Sequence, residues 1–215
     1  MKIRNWFFAL VVLCAGAASC GKEEFAAVKV NAIVPHPASV EIKDDGAFLL
    51  DRSAAVVYEG EEAENSAEYL QEYLQQHYSL SLRKWGRRKI VLKVAEDTAA
   101  VEGAYSLEVL PDRISIEGKN PAGLFYGVQT LIQLLPVDAA VADNPASGVA
   151  GGSKGGYADE GAVVQQKTVG KKIPVPAVKI EDAPAFSYRG MHLDVARHFM
   201  PVEFVKKYID YLALH

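Results

Sequence analysis

The segment YSLEVLPDRISIEG, residues 105–118, leaves this chain few choices of architecture. Tyr105, Leu107 and Val109 alternate with Ser106 and Glu108. A Leu-Pro-Asp-Arg turn reverses the chain, and Ile114 and Ile116 then alternate with Ser115 and Glu117. A period of two on both sides of a proline-aspartate turn specifies antiparallel strands with one face on a core. The segment that follows, NPAGLFYGVQTLIQLLP at residues 120–136, supplies a layer for that core. Asn120 can cap a helix, Pro121 suits its first position, and Pro136 lies at its end. Leu124, Val128, Leu131 and Leu135 make one apolar stripe along it.

The remaining elements extend this layer. PHPASVEI, from Pro35, carries two prolines and then a short apolar alternation, as an edge strand does. AAVVYE at residues 54–59 and KIVLKVA at 89–95 read as strands. Between them, EEAENSAEYLQEYLQQHY at 61–78 places Ala63, Ala67, Leu70, Leu74 and His77 at helical spacing, flanked by Tyr73 and Tyr78. Its acidic residues crowd the front end, where the helix dipole favours them. The expectation over residues 34–137 is an α+β domain: a mostly antiparallel sheet with two helices on one face.

Residues 138–172 are dominated by glycine, alanine and serine, with GGSKGG at the centre. They read as a flexible insert, and their spacing excludes a phosphate-binding loop. Order returns in the proline-punctuated IPVPAVKIEDAPAF. YRGMHLDVARHFMP then reads as a strand and a polar turn before a helix from Pro201 to Leu214, with Val205, Tyr208, Ile209 and Leu212 on one face.

The first residues resemble a secretory signal. Lys2 and Arg4 precede an uncharged apolar run from Trp6 to Leu13, too short to span a membrane, and small residues follow up to Ser19. Cys20 stands where a bacterial lipoprotein signal is cut and its cysteine lipidated, although Ala17 replaces the usual leucine. GKEE after it resembles the export tract of bacterial surface lipoproteins. The expectation is a signal over 1–20, a lipid anchor at Cys20 that ties the chain to the membrane, a tether over 21–33, and an outer-membrane lipoprotein of the cell envelope. The alternative is a plain secreted protein with an incidental cysteine. Cys14 would leave with the signal, so no disulfide or thiolate metal site is expected. The formal charge of −4 would become two units more negative on loss of Lys2 and Arg4. With that balance and no basic stripe, nucleic acid is not an expected partner. No His/Asp/Glu cluster has metal spacing, and no cofactor is expected.

Three blocks together resemble the family-20 glycoside hydrolases, the β-N-acetylhexosaminidases. They are GAYSLEV…ISIEGKNPAGLFYGVQTLIQLLP at 103–136, VPAVKIEDAPAF at 175–186, and YRGMHLDVARHFMPVEFVKKYIDYLALH at 188–215. The resemblance implies that residues 34–137 form the small domain preceding that family's catalytic (β/α)₈ barrel, and that 173–215 start the barrel. It implies a substrate-assisted, retaining hydrolysis of terminal N-acetylhexosamine, a family exception to the two-carboxylate scheme. It makes Arg189 the arginine that hydrogen-bonds hydroxyls of the terminal sugar, a task that suits a guanidinium fork. An ion pair with a carboxylate at the domain junction is the alternative for Arg189.

Arg189 lies early in the apparent strand and Asp194 about 16 Å farther on, whereas barrel sites sit at the C-terminal ends of strands. Asp194 and Arg197 read as a structural pair locking the turn. His198 admits two readings, a wall of the sugar pocket or a hydrogen-bonded histidine of the turn. His192, Tyr188 and Phe199 read as packing residues. A barrel needs about 250 residues, and the family's Asp-Glu pair has no counterpart on a strand here. Asp159-Glu160 sits in the glycine-rich insert, and Glu181-Asp182 is in reverse order. The chain is therefore expected to be an inactive N-terminal fragment of such an enzyme. The competing expectation is a surface-tethered carbohydrate-binding or interaction module.

Overall fold

Six strands carry the fold in the computed structural model, which describes residues 29–95, 101–136 and 172–215. They are β1 (Ser39–Leu50), β2 (Ala55–Glu59), β3 (Lys89–Val94), β4 (Tyr105–Val109), β5 (Arg113–Gly118) and β6 (Ile173–Asp182), in the spatial order β1-β6-β4-β5-β3-β2. Helix α1 (Glu64–Tyr78) follows a 3₁₀ turn, α2 (Pro121–Leu134) follows β5, and α3 (Val202–Leu214) comes last.

The expected α+β layering is present. The hairpin forms as its alternation dictates, with Leu107 opposite Ile116 and Glu108 opposite Ser115. Paired residues share a face, so one apolar row runs across all six strands: Val40, Ile180, Leu107, Ile116, Leu92 and Tyr58. The four central members are buried, and each contributes on the order of 1.5–3 kcal/mol relative to exposure. Ala67, Leu70 and Leu74 of α1 and Leu124, Val128 and Leu131 of α2 complete the core. The adjacent row, Glu41, Lys179, Glu108, Ser115, Val91 and Val57, lies on the opposite face. Lys43 and Glu108 form an ion pair at 2.5 Å.

The sheet is mixed. The pairs β1/β6, β6/β4 and β4/β5 are antiparallel, whereas β3 runs parallel to both β2 and β5. The parallel β2–β3 pair follows from its connection, because α1 carries the chain back across the sheet before β3 begins. Asn120 caps α2 as expected, its Oδ1 accepting from the Gly123 N–H at 2.8 Å. The apolar face of α1 ends in buried Tyr78, with His77 only half-buried.

Three expectations are corrected. Residues 173–182 do not begin a second domain: β6 is wedged between β1 and β4 inside the small domain's sheet. Its burial on most positions explains its nearly continuous apolar sequence. Residues 29–33 are not tether, since Val30 and Ile33, each 3% exposed, join the core. Residues 188–193 form no strand. A strand is defined by its partners, and none of the described strands pairs with this segment. Residues 1–28, with Cys20, and 137–171, with GGSKGG and Asp159-Glu160, lie outside the described residues. Among the described residues, no helix is long and apolar enough to cross a membrane.

Candidate functional site

The end of β6 is fixed by a polar cluster in which Tyr105 and Thr130 are buried and Asp182 is half-buried. The Ala38 N–H donates to Asp182 Oδ1 at 3.0 Å, and the Tyr105 hydroxyl donates to Asp182 Oδ2 at 3.2 Å. Thr130 Oγ1, on α2, lies 2.6 Å from the same phenol oxygen and so can donate its own proton to it. Burial holds the Tyr105 phenol protonated far above the ordinary tyrosine range. The Thr130 bond works against this and the Asp182 carboxylate reinforces it.

Beyond Asp182 the chain passes over α2. Gly103 has φ +78°, and a Cβ there would stand 2.8 Å from Tyr126 Cε2 and 2.9 Å from Pro184 Cγ. Only glycine tolerates both that backbone and that proximity. Tyr126 and Pro184 thus close over Gly103, and the guanidinium carbon of Arg189 lies 4.5 Å from the centre of the Tyr126 ring. Tyr126 sits on α2 beside the apolar stripe, and nothing in its spacing singles it out in the sequence.

Among the described residues Arg189 forms no ion pair, and its guanidinium lies over a ring. Arg189 is exposed, and a guanidinium carries five N–H donors in a planar fork that suits paired oxygens. Asp194 and Arg197 do form a pair. Arg197 Nη2 and Nε lie 2.6 and 2.8 Å from Asp194 Oδ2, and Asp194 Oδ1 accepts from the Ala196 N–H at 2.9 Å. The Arg197 bond first, then the Ala196 N–H, lower the Asp194 carboxyl below its usual range. This closes the turn before α3.

His198 is exposed. His192 is likewise exposed. Tyr188 and Phe199, read as packing residues, are 88% and 93% exposed. They belong to a segment with no described layer above it. Helix α3 has no buried residue, and Ile209 and Leu212 of its expected inner face are exposed. Gln133 of α2 donates to the Leu214 carbonyl at 2.8 Å and exchanges hydrogen bonds with both backbone groups of Val34. Among the described residues, no group of three or more His, Cys, Asp or Glu could hold a metal ion.

The division at the end of β6 recurs in comparisons with known proteins. Residues 30–183 match the model of glycosyl hydrolase family 20, domain 2, and residues 186–215 match that family's catalytic domain. A beta-hexosaminidase of Porphyromonas gingivalis is 34% identical over 187 residues, covering 85% of this chain and 21% of that protein. One from Vibrio furnissii is 31% identical over 181 residues, covering 84% and 24%. The family 20 β-N-acetylhexosaminidase of Streptomyces coelicolor A3(2) superposes with a TM-score of 0.65 at 29% identity, covering 86% of this chain and 33% of that one. The chain spans only about a fifth to a quarter of the two hexosaminidase sequences. With both of the family's domains matched in order along it, this chain belongs to glycosyl hydrolase family 20.

Proposed function

We propose that this chain is the N-terminal part of an exo-acting β-N-acetylhexosaminidase and that Arg189 grips the terminal sugar. The exposed guanidinium resting over the Tyr126 ring supports this reading, because two adjacent hydroxyls of a pyranose match an arginine fork. The relatives named above are hexosaminidases, and a Vibrio harveyi family 20 exo-β-N-acetylglucosaminidase binds N-acetylglucosamine. In the proposed reaction the substrate's own acetamide oxygen attacks the anomeric carbon. A glutamic acid protonates the leaving oxygen, and a neighbouring aspartate steadies the acetamide as it becomes cationic.

The chain alone is proposed to be inactive. The part matching the catalytic domain holds Asp194, Glu203 and Asp210, no two of them adjacent. Asp194 is committed to Arg197, and Glu203 lies 3.4 Å from Lys206. The test is an assay on a chromogenic N-acetylglucosaminide of the 215-residue chain and of the same chain joined to the rest of a family 20 catalytic domain. Only the joined protein is expected to turn over substrate, and Arg189→Lys is expected to raise its KM. Turnover by the 215-residue chain itself would overturn the inactivity proposal, and an unchanged KM would overturn the role of Arg189.

The anchor reading rests on AASCGKEE at residues 17–24. In cells fed labelled palmitate, the purified chain should carry the label and its Cys20→Ala variant should not.

A further inference from the structure

The end of the loop joining α1 to β3, with the first residue of β3, reads RKWGRRK at residues 83–89, five cations in seven positions of a chain whose net charge is −4. The overall balance conceals this cluster, and the expectation of no basic stripe fails here. Trp85, at its centre, is 86% exposed. The loop is fastened to the β1–β2 turn at three points. The Arg83 N–H donates to the Ala54 carbonyl at 3.1 Å, and the Ala55 N–H donates to the Arg88 carbonyl at 3.0 Å. Between these, a Cβ on Gly86 would stand 2.2 Å from the Ser53 carbonyl oxygen, so only glycine permits the approach. A loop pinned at both stems and in the middle holds its indole out in water instead of letting it fold onto the core.

The charges around Trp85 are largely uncompensated. Among the described residues Arg88 alone of the five is ion-paired, to Asp51 at 3.1 Å, and it also donates to the Leu49 carbonyl. Exposed Arg52 lies on the facing turn. Lys89 stands opposite Arg113 in the β3–β5 register, an unfavourable like-charge pair. Against these stand Asp51, already engaged by Arg88 and Ser53, and Asp112.

We infer that this Trp85-tipped basic loop is a second carbohydrate site, which holds a sulfated or uronate-bearing glycan. Guanidinium and ammonium groups match sulfate and carboxylate oxygens, and the indole offers a flat apolar surface to a pyranose ring. One indole is little apolar area for holding a membrane surface. The preference for a glycan over other polyanions rests on the proposed hexosaminidase reading. The site is remote from Arg189. The β3–β5 and β4–β5 registers put Lys89 and Arg113 at one end of the sheet and Tyr105 and Gly118 at the other, a strand length of roughly 17 Å away. A long chain held there would be retained between cleavage events at its end.

The test measures binding of the 215-residue chain to heparin, with polyphosphate, a DNA oligonucleotide and phosphatidylglycerol vesicles as competing probes. Heparin is expected to bind more tightly than the other three, with affinity falling as salt rises. K84E/R87E should abolish retention on heparin. Trp85→Ala should weaken heparin binding about 3- to 10-fold and leave polyphosphate binding unchanged. No heparin binding, binding indifferent to K84E/R87E, an equal effect of Trp85→Ala on heparin and polyphosphate, or tighter binding of DNA or vesicles would each overturn the inference. Heparin retention by a joined enzyme that fails to hydrolyse N-acetylglucosaminides would instead count against the hexosaminidase reading alone.

Discussion

The guanidinium carbon of Arg189 lies 4.5 Å from the centre of the Tyr126 ring, so the proposed sugar-gripping residue rests on a helix of the small domain. A contact of this kind at an exposed site contributes about 0.5–1 kcal/mol. Tyr126→Ala should therefore expose the Arg189–Gly190 bond to trypsin about 2- to 5-fold faster, whereas Tyr126→Phe, which keeps a ring face, should cleave at nearly the wild-type rate. Equal cleavage of all three proteins would remove Tyr126 as the support of Arg189.

Tyr105 makes a different kind of link. Its hydroxyl joins Thr130 and Asp182, and Tyr105→Phe strands the buried Thr130 hydroxyl, at a cost of about 1–3 kcal/mol in urea unfolding at neutral pH. The pH dependence follows from the raised proton affinity of the folded phenol. Its contribution is fully present below the unfolded tyrosine value near 10.0 and is lost as pH rises from there through the folded value. The stability gap between wild type and Tyr105→Phe should be constant at neutral pH and narrow above pH about 10. A gap that widens with alkali would contradict this.

The segment after β6 contributes little to the small domain. The cation–π contact of Arg189 with Tyr126, the Gln133 bond to the Leu214 carbonyl, the His215 ring against the Val34 carbonyl and the packing of Leu214 on the core tie it down. Deleting residues 186–215 should cost about 1.5–4 kcal/mol and preserve one cooperative transition in urea. A broad or multiphasic transition would show that the sheet depends on the deleted part.

Local patterns were the legible part of this fold. The alternation around Pro111-Asp112, the Asn120-Pro121 helix start and the spacing from Ala63 to Leu74 each concern residues within a few turns of one another, and each forms as read. Strand neighbours are set by partners far along the chain, so the parallel β3–β5 pair and the place of β6 were not legible. YRGMHL alternates as a strand does, yet alternation creates no ladder without a partner. At the site, Asp194 and Arg197 could be paired on paper because they lie three residues apart. Arg189 and Tyr126 come together only through the fold, from positions 63 residues apart. RKWGRRK was visible throughout, but a whole-chain charge averages such a cluster away.

The position of β6 also orders events during synthesis. Among the described residues β1 pairs with β6 alone, and β6 is made 123 residues after β1 ends, counting from Leu50 to Ile173. Wherever the chain emerges N-terminus first, the first strand must wait for its partner while β2 to β5, α1 and α2 are already free to fold. The sheet closes when β6 slides in between β1 and β4, a long-range step that loop-closure entropy makes slow.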